Sequence, residues 1–160
     1  MKFLYKIAVA SEAAQTWEKM QDTLAMVHCI PGVEEADETS EGHYDVKIVT
    51  KLGPVSLRFN GSAELEIHQE ERAMQAGVTM SDSRSGNVYG QFTMRLVPDE
   101  AGNGSILQID ADIVIAGKLG ELAQPLIKRK ADQIVQEFSK KTDQLPRNGT
   151  VSIAWAKTTK

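Results

Sequence analysis

The chain has 160 residues, 41% of them hydrophobic, and a net charge of −4 at pH 7, enough for one domain with a sizeable core. No apolar run of about 18 residues marks a membrane span, and the opening Met1–Ile7 is too short and too charged for a signal peptide. A single cysteine, Cys29, excludes an internal disulfide and suits a cytoplasmic protein, so the sequons at Asn60, Asn103 and Asn148 read as chance.

The first 115 residues alternate as strands do, with one interruption. Phe3, Tyr5, Ile7 and Val9 share one face of an opening strand. Ser11 reads as an N-cap, followed by a short helix over 14–22 that carries Trp17, and a second helical turn over 23–30 that ends at Pro31-Gly32. Residues 33–39 form a weak strand. His43 to Leu52 alternates well, and Gly53-Pro54 turns the chain. The clearest strand follows: Val55, Leu57, Phe59, Gly61, Ala63, Leu65 and Ile67 face one way, and polar residues face the other. A poorer strand over 72–81 leads to a polar loop at 81–86. Val88, Gly90, Phe92, Met94 and Leu96 then mark another inner face, as do Leu107, Ile109, Ala111, Ile113 and Ile115.

The last long stretch, Ile115 to Leu145, organises the rest. Leu119, Leu122, Ala123, Leu126, Ile127, Ala131, Ile134, Val135 and Phe138 recur at the three-and-four spacing of a helix of roughly 20–25 residues. Proline lacks an amide proton and its ring clashes with the preceding turn, so Pro125 makes the helix start late or kink. The links between strands are hairpin-sized, which requires an antiparallel meander. The expected fold is α+β: a curved antiparallel sheet of six to seven strands around a long C-terminal helix, with two short helices after the first strand. It forms a single domain over residues 1–145, with a flexible tail over 146–160.

Charge is unevenly spread. Residues 1–115 carry nine basic and eighteen acidic side chains, whereas residues 116–160 carry nine basic and four acidic ones. The basic share, including Lys118, Lys128, Arg129 and Lys130, is either a solvated face or a contact for an acidic partner or an anionic membrane. An acidic domain without interleaved basic and aromatic residues is no nucleic-acid binder.

No catalytic motif stands out. His28, His43 and His68 have no metal-ligand spacing, and His28 and Cys29, adjacent in a helix, do not face each other. A cavity is better supported. Small residues, Gly61, Ala63, Gly90 and Ala111, replace bulk in the middle of inward strand faces, either to leave space or to let the sheet coil tightly. Methionines, among them Met26 and Met94, suit an adaptable apolar lining.

With these elements in order, the chain resembles the START/Bet v 1-like (SRPBCC) helix-grip superfamily. Three motifs are similar to those of the CoxG family of carbon monoxide dehydrogenase subunits: Cys29-Ile-Pro-Gly32, Lys51-Leu-Gly-Pro-Val55 continuing through Arg58-Phe59-Asn60-Gly61, and Gly117-Lys-Leu-Gly-Glu-Leu-Ala123. The resemblance covers residues 2–145 and implies a non-enzymatic accessory protein. It implies a lipid- or quinone-like ligand in a cavity between sheet and helix, and no covalent or metal cofactor. The implied partners are a molybdenum hydroxylase of the CO dehydrogenase type and, peripherally, the inner face of the cell membrane. The alternative is a small cyclase or hydrolase working in the same pocket.

The expected lining is Phe59, Gly61, Ala63, Gly90, Phe92, Met94, Ile109 and Ala111 from the sheet, and Leu126 from the helix. A mouth is expected where a loose lip at Leu119 and Leu122 faces the turn carrying Met26 and Ile30, with Lys118 and Lys128–Lys130 beside it. The inward registers carry Tyr5, Tyr44 and Thr50, with no facing carboxylate or histidine expected.

Overall fold

A computed structural model describes residues 1–122 and 124–143. The tail expected over 146–160, the helix end expected at Leu145, and Ala123 lie outside the described residues.

Seven strands follow the period-two pattern: β1 (Lys2–Val9), β2 (Val33–Ser40), β3 (His43–Leu52), β4 (Val55–His68), β5 (Ala73–Asp82), β6 (Gly86–Pro98) and β7 (Ser105–Ala116). They form one antiparallel sheet in the order β1-β7-β6-β5-β4-β3-β2. Register carries each inward row across the sheet. Tyr44 pairs with Ala63, Ala63 with Val78, Val78 with Gly90, and Gly90 with Ile113. Because β1 and β2 are opposite edges, the chain between them must cross the end of the sheet. Helices α1 (Ala13–Met20) and α2 (Thr23–His28) carry it. Helix α1 buries Ala13, Trp17 and Met20, and the Asp22 carboxylate caps α2 by accepting from the Ala25 N–H at 3.2 Å.

Ser11 does not cap α1 as expected. Glu12 holds the N-cap position with no side-chain hydrogen bond, and the Ser11 carbonyl accepts from the fully buried Ser105 hydroxyl at 2.9 Å.

The stretch from Ile115 divides into three. β7 runs to Ala116, a 3-10 turn spans Lys118–Glu121, and α3 spans Gln124–Asp143, about 30 Å. Gly117 makes the first break at φ 83°, a conformation that disfavours a side chain. Pro125 accounts for the second, because proline is tolerated in the first helical turn, where its missing N–H would have no partner. Leu119 and Leu122 therefore precede the helix and are not part of its apolar stripe.

Candidate functional site: the cleft between sheet and helix

Two large apolar clusters and a third at the β2 edge lie along the concave side of the sheet. One gathers Phe3, Tyr5, Ile7, Trp17, Leu96, Ile109, Ala111 and Phe138, with Met26, Ile30, Phe92, Met94, Ala131 and Val135 packed against them half-buried. The other gathers Leu52, Leu57, Phe59 and Leu119, with Leu122, Leu126 and Ile127 half-buried. Of the expected lining, Ala63 packs instead with Tyr44 and Val46 towards the β2 edge. The sheet residues expected to line the cavity share its concave face, yet Ala63, Phe92 and Met94 stay half-buried there, as does Leu126 on the helix. Helix α3 makes its main close backbone approach to the sheet at β3. Its side chains join both clusters, through Ala131, Val135 and Phe138 in one and Leu126 and Ile127 in the other, so sheet and helix share one apolar interface. A separate shallow hollow over Gln15, Glu18 and Lys19 lies on α1, away from this interface.

The glycines do not simply vacate space. A Cβ on Gly61 would fall 2.4 Å from the Thr79 carbonyl oxygen and 2.7 Å from Met80 Cγ. At Gly90 it would fall 2.6 Å from Cε1 of Phe92, whose ring occupies the place a side chain would take. Close approach explains both positions.

The expected loose lip is anchored. The Leu119 N–H donates to the Ser85 carbonyl at 2.7 Å, and Leu119 is 4% exposed. Behind it, the Asp82 carboxylate accepts from the backbone N–H of Arg58 (2.7 Å), Arg84 (2.8 Å) and Ser85 (3.0 Å). Those donors, Arg58 and Arg84 foremost, hold its pKa below the usual carboxylate range against the opposing effect of burial. Leu119 and Leu122 pack in a different cluster from Met26 and Ile30. Lys118 and Arg129 are exposed, while Lys128 and Lys130 are half-buried.

One polar pair lies across the apolar interface. The Tyr5 hydroxyl, on β1 and 2% exposed, donates to Asp132 Oδ1 on α3 at 2.8 Å. Burial first, then this bond and the negative charge, raise the Tyr5 pKa strongly. The strands supply no facing carboxylate, but the helix does. At the other edge the Tyr44 hydroxyl meets the Thr23 hydroxyl and, at 3.4 Å, Glu38 Oε2, tying α2 to β3.

Burial also raises the Cys29 thiol, only partly offset by the Lys141 ammonium, which disfavours the thiolate a nucleophile needs. His28 is exposed at the end of α2, and His43 and His68 pair at the surface with Glu64 and Glu66. Among the described residues, no three His, Cys, Asp or Glu side chains gather as a metal site, and no helix is long and apolar enough to cross a membrane.

A seven-stranded antiparallel sheet gripping a long C-terminal helix, with short helices after the first strand, defines a START/Bet v 1-type helix-grip fold. Within that class, the chain belongs to the CoxG family of carbon monoxide dehydrogenase subunits, whose model matches residues 6–144. A conserved protein from Geobacillus kaustophilus superposes with a TM-score of 0.81 over 91% of this chain and 94% of that one, at 17% identity. A START superfamily protein from Mycobacterium smegmatis gives 0.63 over 91% and 100%, at 13% identity. The Zhui aromatase/cyclase from Streptomyces sp. R1128 gives 0.57 over 88% and 87%, at 17% identity. At such identities these likenesses show the fold alone. No curated protein sequence matches the chain.

Proposed function

We propose that the protein is a non-enzymatic accessory protein that holds a lipid- or quinone-like ligand in this cleft. It would do so for a molybdenum oxidoreductase of the CO dehydrogenase type, at the membrane surface. The observation that carries the reading is the set of half-buried apolar side chains where sheet and helix meet, Ala63, Phe92 and Met94 on the sheet and Leu126 on the helix. Apolar surface left accessible inside a folded domain has a free-energy gain of about 25 cal/mol per Å² to offer a ligand that covers it. Membership of the CoxG family supports the choice of partner.

Ala63→Trp tests the placement. Position 63 already carries a Cβ and faces inward, whereas any side chain at Gly61 would strike backbone. The variant should melt cooperatively and lose at least about tenfold in uptake of a fluorescent long-chain quinone or fatty-acid analogue, the scale of filling a hydrophobic pocket. Unchanged uptake by the folded variant would overturn it.

A second reading, a pocket enzyme of the cyclase or hydrolase kind, is favoured by the Tyr5–Asp132 pair. Chemical conversion of a bound ligand, lost in Asp132→Asn, would replace the carrier reading with this one.

A further inference from the structure

We infer that Asp132 selects the ligand, favouring apolar molecules that end in a hydroxyl donor, such as a long-chain alcohol, a phenol or the reduced, hydroquinone form of a quinone, over ethers and hydrocarbons of the same shape. The inference rests on the cleft being a ligand site. Asp132 sits just past the edge of the apolar stripe of α3, between Ala131 and Val135, which pack against the same cluster as Tyr5. Tyr5 pairs in register with Ile109, and Ile109 with Met94; Phe3 pairs with Ala111, and Ala111 with Phe92. The pair thus stands at the β1 end of two inward rows that pass through the buried Ile109 and Ala111 to Met94 and Phe92. Met94 and Phe92, both half-buried, lie two strand spacings away, about 10 Å.

The chemistry at this end is one-sided. A carboxylate only accepts, with two oxygens and about four lone-pair positions, and the Tyr5 hydroxyl fills one of them. Tyr5 also fixes the carboxylate's orientation, since its phenol is held as the proton-bearing donor. Half-buried, Asp132 keeps contact with water when the cleft is empty. A ligand hydroxyl replaces that water with a charge-assisted hydrogen bond. An ether or a methyl group in the same place strips the water and returns nothing, a desolvation loss that lowers affinity by about tenfold or more.

The test compares 4-nonylphenol with its methyl ether, 4-nonylanisole, by titration calorimetry of the full chain. The parent protein is expected to bind the phenol at least about tenfold more tightly, although the ether is the more apolar molecule. Asp132→Asn, whose amide can donate to the ether oxygen, is expected to bring the two within about threefold while still binding the ether. Tyr5→Phe keeps the ring against Phe3 and removes the orienting hydroxyl, and its ratio is expected to fall as well. Circular dichroism establishes that each variant is folded. If the parent binds both ligands equally, or if the preference survives in either folded variant, Asp132 is not the selector and the cleft remains a ligand site. If the parent binds neither, both this inference and the carrier reading are overturned.

Discussion

Three backbone N–H groups, from Arg58, Arg84 and Ser85, converge on the carboxylate of Asp82. The arrangement fixes the β5–β6 turn and so presents the Ser85 carbonyl to Leu119. Replacing Asp82 by Asn leaves fewer acceptor positions and turns an N–H₂ towards donors, which should cost about 2 kcal/mol at neutral pH in urea unfolding. A carboxyl with a depressed folded pKa contributes its stability in full above the unfolded value, about pH 4. It loses that contribution as the pH falls through the folded value. The gap between parent and Asp82→Asn should therefore be constant from about pH 5 upward and close in more acid solution; a gap independent of pH would show that the charge is not what matters. The sequence 81–86 reads as a polar loop because its composition is polar. An aspartate followed closely by Ser-Arg-Ser-Gly carries the Asx-turn signature that marks a side chain bonding its own backbone two or three residues on.

Among the elements, the strands were the most legible, since period two assigns each residue to a face without knowledge of neighbours. The Gly53-Pro54 turn and the delayed helix start at Pro125 were equally local and followed from φ restrictions alone. Contacts between distant segments were not legible. Nothing in β1 announces that Tyr5 meets Asp132, because helix rotation against a sheet is set by packing over 127 residues of separation. A hint existed in the row Lys128, Asp132 and Ser139, polar residues bordering the stripe and half-buried or buried. The glycines of the inner face were half read. Close approach accounts for Gly61 and Gly90. At this scale Pro125→Ala should change stability by less than about 0.5 kcal/mol, because the first turn needs no donor there. Ala131→Pro should cost about 3 kcal/mol or more by breaking the helix mid-length. Thermal melts of the two variants check the contrast.

As a whole molecule, the chain joins an acidic, sheet-forming sequence to a basic C-terminal one. If Lys118, Lys128 and Lys130 meet anionic headgroups, each contributes about 1 kcal/mol near the surface. The triple replacement by Glu should then abolish sedimentation with phosphatidylserine vesicles, and added salt should weaken the parent's binding in the same way. Vesicle binding indifferent to both would remove the membrane from the account.

The occupancy of the cleft decides most. Native mass spectrometry of the freshly purified protein, followed by solvent extraction, should show a mass above that of the chain which disappears on extraction. The extract should contain a lipid- or quinone-like molecule, and Ala63→Trp should reduce the bound fraction. A chain that carries nothing, and that takes up neither added quinone analogues nor lipids, would contradict a carrier.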